Sequence, residues 1–254
     1  MFHLHAGECV FLYEEIFERR CYAGNGLRLD QNAPGCIFDV GANIGMATYF
    51  FHKEYPGKKI FAFEPNPRAF EVLSANVARL GIEATVLSCA LSDSPGTAKL
   101  THYPNKSCMS GLYADPEADA RTTRAYMINE GMDPEDADFL LSETFAPEQY
   151  DCTLTTVSSI IDRDRIESID LLKIDVEKAE LDVLRGIRSE HWPLIRQAVI
   201  EVHDFGGRLA SIRGLLETHG FHSTVKQDPK LKGTGLYDLI AVRPDEETRG
   251  SRAR

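Results

Sequence analysis

The chain has 254 residues, with 39 acidic against 28 basic side chains and a formal net charge of -11. That excess of acid argues against a broad nucleic-acid or anionic-membrane surface, because a phosphate backbone calls for a basic face. Hydrophobic residues make up 43% and charged residues 26%, an ordinary globular balance, and the length suits one large α/β domain with a substantial core.

No apolar run reaches the ~18–20 residues that a membrane-crossing helix requires. The first ten residues hold no cationic stretch followed by an apolar one, so no secretory signal is expected and the cytoplasm is the expected compartment. The six cysteines, Cys9, Cys21, Cys36, Cys89, Cys108 and Cys152, form no C-x-x-C pair. A zinc ribbon or thioredoxin-type site is not indicated, and buried free thiols are expected.

Residues 1–35 read as an N-terminal helical segment, with a helix over 8–20 whose apolar side is Phe11, Leu12, Ile16 and Phe17. Residues 36–40 read as a buried strand, followed by the turn Gly41-Ala-Asn-Ile-Gly45 and a helix to about Glu54, which Pro56 and Gly57 break. Residues 60–63 are a second strand. Asn66 can cap the next helix, Pro67 suits its first turn, Gly81 follows its end, and Phe70, Leu73, Val77 and Leu80 give it a buried face. Residues 84–91 read as a third strand. This alternation specifies a parallel sheet with crossover helices.

The periodicity weakens over 103–150, where helices are expected near 116–129 and 134–143. This segment holds ten acids against three bases and so carries most of the net charge. It reads as an acidic insertion capping a site. Beyond it, 153–161 reads as extended, 169–175 as a strand, 179–187 as a helix, 198–202 as a strand and 209–219 as a helix. Residues 221–225 and 236–242 read as two last strands, and 243–254 as a disordered polar tail. Lys226, Lys230 and Lys232 read as a solvated hairpin loop, with contact to an acidic carrier protein as the alternative.

Four stretches carry chemistry. In Asp39-Val-Gly41-Ala-Asn43-Ile-Gly45 a glycine turn between strand and helix lets backbone approach a ligand closely. Its spacing lacks the middle glycine of a dinucleotide fingerprint, and Asp39 suits a cationic or zwitterionic ligand better than a pyrophosphate. Glu64, at the end of the second strand, can accept both hydroxyls of a ribose. Ala90-Leu91-Ser92-Asp93 ends the third strand beside the same crevice. The fourth group is Asp175, Glu177, Glu201 and His203, on two strand ends facing that crevice. It supports acid–base work with His203 as general base and Asp175 orienting it, a hard divalent ion such as magnesium, or structural hydrogen bonding. His102 and Tyr103 open the insertion and are weaker candidates for contact with an acceptor.

Together these stretches resemble class I S-adenosylmethionine (SAM) methyltransferases, and more narrowly the FkbM family. The carrying residues are Phe38-Asp-Val-Gly-Ala-Asn-Ile-Gly45, Phe63-Glu-Pro-Asn-Pro67, Ala90-Leu-Ser-Asp93, Leu172-Lys-Ile-Asp-Val-Glu177 and Glu201-Val-His203. In the family the fourth block continues with glycine; here Lys178 takes that place. The resemblance implies a single Rossmann-like α/β domain: a seven-stranded, mostly parallel sheet with an antiparallel edge strand and a helical cap. It also implies SAM held by Asp39, Gly41, Asn43 and Gly45 around the methionine part, by Glu64 at the ribose, and by Ala90, Leu91 and Ser92 beside adenine, with Asn66 a further cofactor contact.

The expected reaction is in-line methyl transfer to a hydroxyl of a small or medium natural product (a macrolide, polyketide or peptide hybrid), free or carrier-bound. His203, Asp175 and Glu201 would assist. The alternatives are a metal-assisted sugar or carboxylate O-methyltransferase with Mg2+, an NAD-linked oxidoreductase on a similar fold, and a SAM-binding protein without activity. No nucleic-acid or membrane partner is expected, and no oligomeric state is read from the sequence.

Overall fold

The computed structural model describes residues 1–24, 26–30 and 34–244. The central sheet is built from β1 (Cys36–Val40), β2 (Lys59–Phe63), β3 (Ala84–Leu87), β7 (Ile169–Ile174), β8 (Gln197–His203), β9 (His222–Lys226) and β10 (Leu236–Val242), in the order β3-β2-β1-β7-β8-β10-β9. The neighbouring pairs from β3 to β8 are parallel, and β10 runs antiparallel to both β8 and β9. The sheet is therefore seven-stranded and mostly parallel, with its antiparallel strand beside the edge strand β9.

β1 and β7 are buried along their whole length, as expected of strands covered on both faces. Phe38, Val40, Leu172 and Ile174 face one side, against Ile160 and Ile161 of α6 (Val157–Asp164), Val183 and Leu184 of α7 (Glu180–Arg185) and Ile212 and Leu216 of α8 (Arg208–Thr218). Ile37, Ile60 and Leu171 face the other, against Phe50 and Phe51 of α2 (Met46–Glu54) and Ile16 of the N-terminal segment. The helix α3 (Pro67–Leu80) packs Leu73 on Ala42 and Ala62, capped by the Asn66 side chain at Arg68 N.

The N-terminal helix does not run uniformly over 8–20: α1 (Ala6–Tyr13) passes into a π-helical turn, Glu14–Glu18, which closes with Arg19 N donating to Glu14 O at 2.8 Å. Residues 84–91 are not one strand. After β3, Glu64 N takes the Leu87 carbonyl, and β4 (Ala90–Leu91) joins a second sheet of order β4-β6-β5 with β5 (Gly96–His102) and β6 (Glu148–Thr155). Residues 153–161 are not extended throughout. Thr156 accepts from Ser159 N and caps α6, which buries Val157, Ile160 and Ile161 at helical spacing.

The insertion carries α4 (Pro116–Asn129) and α5 (Pro134–Leu141). Each begins at a capping aspartate followed by proline. The Lys226–Lys232 region is drawn into this cap rather than left as a free basic loop: Asn129 holds the carbonyls of Lys230 and Lys232, and Lys230 pairs with Glu130. Arg243 does not begin a loose tail, since its guanidinium binds the carbonyls of Trp192, Ile195 and His219. The rest of the expected tail, from 245, lies outside the described residues. All six cysteines are free thiols, and no helix among the described residues is long and apolar enough to cross a membrane.

Candidate functional site

The carboxyl ends of β1, β2, β7 and β8 open on one edge of the sheet, and strand order reverses between β1 and β7. Open α/β sheets bind ligands at this switch point. The chain leaves β1 through Gly41 at φ +79°. A Cβ there would stand 1.8 Å from the Asp175 carbonyl oxygen, so no other residue fits without moving β7. Gly41 N and Ala42 N both donate to the Phe63 carbonyl, and Gly45 N-caps α2.

A narrow crevice runs across these ends. It is lined by Gly41, Asn43, Glu64, Ala90 and Leu91, among others. Glu64 is set by two backbone amides: Asn43 N donates to Oε2 and Asn66 N to Oε1, both at 2.8 Å. Each oxygen keeps a second lone pair for a ligand hydroxyl. Burial pushes the Glu64 carboxyl up to about 7, against the two amide hydrogen bonds that favour its charge.

Four of the expected ligand contacts stand behind this surface. Asp39 is fully buried and does not line the crevice: Thr48 donates to it at 2.6 Å and the Lys173 ammonium stands 3.0 Å away. Its charge is therefore neutralised within the core and does not rim the turn. Gly45 backs onto Leu73. Asn66 supports Glu64 through its amide, while its side chain meets His102 Nδ1 at 2.8 Å. Ser92 N binds the Thr155 carbonyl and orders β4.

Lys173 was not singled out from the sequence, although a lysine in an apolar strand two residues before Asp175 was the signal. It is fully buried, bridging Asp39, Asp175 and the Gly41 carbonyl. Burial opposes its charge, but the two carboxylates outweigh that and raise its pKa. Tyr22 donates to Asp175 Oδ2 at 2.8 Å. Asp175 is thereby fixed between the ends of β1 and β7.

A second, larger cavity of about 800 Å³ adjoins the crevice. Its walls include Phe11, Met109, Tyr126, Met127 and Phe139, and its floor holds Asp175, Glu177, Glu201 and His203. Leu12, Cys108, Asp175 and Glu177 line both spaces. The N-terminal helix is therefore a wall of the site: Glu8 accepts from Ser107 N, Ser107 Oγ and Cys108 N. Its π-helical turn directs Glu15 into the cavity while Ile16 enters the core. Burial, with Asp175 and Asp238 adding repulsion, raises the Glu15 carboxyl to about 7. None of this was legible in the apolar pattern of 8–20.

His203 does not stand as a free base. Nε2 lies 3.0 Å from Glu177 and Nδ1 2.8 Å from Glu180, a fully buried acid the motif reading missed. Burial opposes protonation, but Glu177 and Glu180 outweigh it, and the pKa lies well above the ordinary histidine value. An imidazolium with both N–H groups donated has no lone pair to offer. Glu201 differs: burial pushes its carboxyl well up, Asp175 and Glu177 adding repulsion. Glu177, Glu201 and His203 also bring one ligand atom each within 4.8 Å of the others. His102 does not reach the large cavity; it holds Asn66 and Ser110.

The profile of the FkbM methyltransferase domain matches residues 39–223. The chain is 42% identical over 243 residues to the 31-O-demethyl-FK506 methyltransferase FkbM of Streptomyces tacrolimicus, covering 95% of this chain and 92% of that one. It is 35% identical over 254 residues to part of the AMB antimetabolite synthetase AmbE of Pseudomonas aeruginosa, covering 95% of this chain and 12% of the synthetase. The crystal structure of a methyltransferase FkbM from Methylobacillus flagellatus shares the fold, with a TM-score of 0.53 at 17% identity, over 86% of this chain and 45% of that one. These matches set aside the oxidoreductase reading: the chain belongs to the FkbM methyltransferase family, on the class I Rossmann-like fold.

Proposed function

We propose that this chain transfers a methyl group from SAM to a hydroxyl oxygen of a bulky, largely apolar natural product. One observation carries the reading: the glycine-lined crevice and the 800 Å³ cavity share a wall at Asp175 and Glu177. A methyl donor and a large acceptor can therefore meet over one acidic floor.

The residues present fit SAM. Gly41 and Asn43 give it a close backbone approach, Glu64 offers oxygens to the ribose, and Ala90 and Leu91 give an apolar slot for adenine. Bound there, it supplies an electrophilic methyl on a sulfonium. The protein aligns the acceptor oxygen and excludes water, which accounts for much of such a rate enhancement. Glu201 takes the hydroxyl proton: it faces the large cavity, and burial beside Asp175 and Glu177 raises its affinity for a proton. His203 and Glu177 form a fixed ion pair that holds the floor in place, with Asp175 beside it.

The 42% identity to a protein named for 31-O-demethyl-FK506 supports a macrolide-sized acceptor, and the match to a synthetase segment supports acceptors made on assembly lines, free or carrier-bound. The net charge of -11 supports a partner other than nucleic acid, and the six free thiols support a reducing compartment such as the cytoplasm. The test is methyl transfer from labelled SAM to a panel of hydroxylated macrolides, starting with 31-O-demethyl-FK506. Binding of S-adenosylhomocysteine without transfer to any hydroxyl would leave only a cofactor-binding protein.

A second reading has its own support. The donor set Glu177, Glu201 and His203 is compact enough for one ion, and two carboxylates with an imidazole suit magnesium or manganese. The imidazolium would have to lose a proton to join it. Titration calorimetry with Mg2+ and Mn2+ decides between the two: an acid–base floor predicts no binding, and a metal floor predicts proton release on binding.

A further inference from the structure

Lys178 breaks a local rule. It stands at φ +75°, directly after Glu177 at φ +50°. Two successive residues bearing side chains in the left-handed region are rare, because Cβ crowds the carbonyl. Such a conformation persists only where its surroundings over-determine it.

Here they do. The Lys178 amide donates to Glu180 Oε1 at 2.8 Å, and its carbonyl accepts from the Arg208 guanidinium. Its ammonium is ion-paired with Asp119. Asp119 is 2% exposed, and its other oxygen accepts from the Tyr103 hydroxyl at 2.9 Å and the Asp115 amide at 3.0 Å. A carboxylate buried this deeply requires a partner cation, and Lys178 supplies it.

Both ends of this pair lie next to working parts of the site. Asp119 is on α4, one turn before Thr123, and Thr123, Tyr126 and Met127 of that helix line the large cavity. On the other side, Glu177 meets His203 Nε2 at 3.0 Å. Gly111 presses on Glu177, since a Cβ at Gly111 would come within 2.9 Å of the Glu177 Cβ.

We infer that Lys178 is a positioning residue: its ion pair with Asp119 ties the α4 wall of the large cavity to the turn that orients Glu177. A glycine at 178 would relax the backbone and leave wall and turn independent. With lysine, an acceptor seated against α4 also fixes Glu177 toward His203, so seating and alignment are one event. That consequence rests on the acceptor reading of the cavity; the tie itself does not.

The test needs no acceptor. Hydrogen exchange is measured on the full chain for the wild type, Lys178→Gly, Asp119→Asn and Lys178→Arg. The tie predicts that Lys178→Gly and Asp119→Asn each speed exchange at least tenfold in both 116–129 and 175–180. The central strands should stay as in the wild type, and Lys178→Arg should restore protection in both segments. Should Asp119→Asn fail to fold, Lys178→Gly carries the test alone, since glycine suits the backbone there. Wild-type exchange at 175–180 in Lys178→Gly, whatever happens to α4, overturns the inference. Affinity for S-adenosylhomocysteine is measured in parallel on the wild type; its absence would sink the proposed function and leave the tie standing.

Discussion

The two cavities are made from different kinds of parts. The crevice is made mostly at strand ends: Gly41, Asn43 and Glu64 are fixed by backbone geometry and by amide hydrogen bonds from residues close by in the chain or one strand over. The large cavity is walled by pieces far apart in sequence, with α1, the 105–109 turn, α4, α5 and the 228–236 loop around a floor of charged groups. On the proposed function, the first region takes the one ligand common to every turnover. On the proposed function, the second would set the acceptor's shape, by helices that hang from a few tertiary ties such as Glu8 to Ser107 and Lys178 to Asp119. Specificity can therefore change in the second region without disturbing the first.

The largest separation between the two regions is expected at Glu201. Glu201→Gln should lower turnover by about 10²–10⁴ and leave SAM affinity as it was, measured by steady-state rates and calorimetry. Full turnover in this variant would mean that Glu201 is not the base.

Lys173 joins the regions, so its loss should damage both. Lys173→Met leaves the buried Asp39 and the half-buried Asp175 without their cation, and unfolding in urea should show a loss of about 3–5 kcal/mol. A change under 1 kcal/mol would mean that Lys173 does not hold the two carboxylates in place.

Glu64 sharpens the contrast through pH. Its carboxyl titrates at about 7 in the folded chain against an ordinary 4.5. A ribose clamp needs the ionised form, so affinity for S-adenosylhomocysteine should be full above pH 8 and fall as pH drops through about 7, with proton release on binding below that point. Glu64→Gln should bind about ten- to hundredfold more weakly, as expected for about 1.5–3 kcal/mol of charge-assisted hydrogen bonding, with no slope over this range.

The smallest effect belongs to the outer wall. Tyr126 packs edge-on against Phe11 at 5.9 Å. Tyr126→Ala should raise the KM for 31-O-demethyl-FK506 about tenfold, roughly 1.4 kcal/mol, with cofactor affinity intact.

The same division explains what the sequence disclosed. β1, the Gly41–Gly45 turn and Glu64 were legible because their conformations follow from neighbours in the chain. Asp39 was placed in the right turn and given the wrong surroundings, because its neutralising Lys173 comes from another strand. His203 read as a general base oriented by Asp175 for the same reason: Glu177 and Glu180 reach it only after β7 and β8 pair. The π-helical turn that sends Glu15 into the cavity and Ile16 into the core leaves no periodic mark that a helix over 8–20 would lack.

The proposed function stands or falls on SAM occupying the crevice at Gly41 and Glu64. Titration of the purified chain and of Gly41→Ala with S-adenosylhomocysteine tests it most directly. Saturable one-site binding by the wild type is expected, with a loss of at least a hundredfold in the variant, whose added Cβ would press on the Asp175 carbonyl. No heat of binding and no thermal stabilisation of the wild type would contradict it.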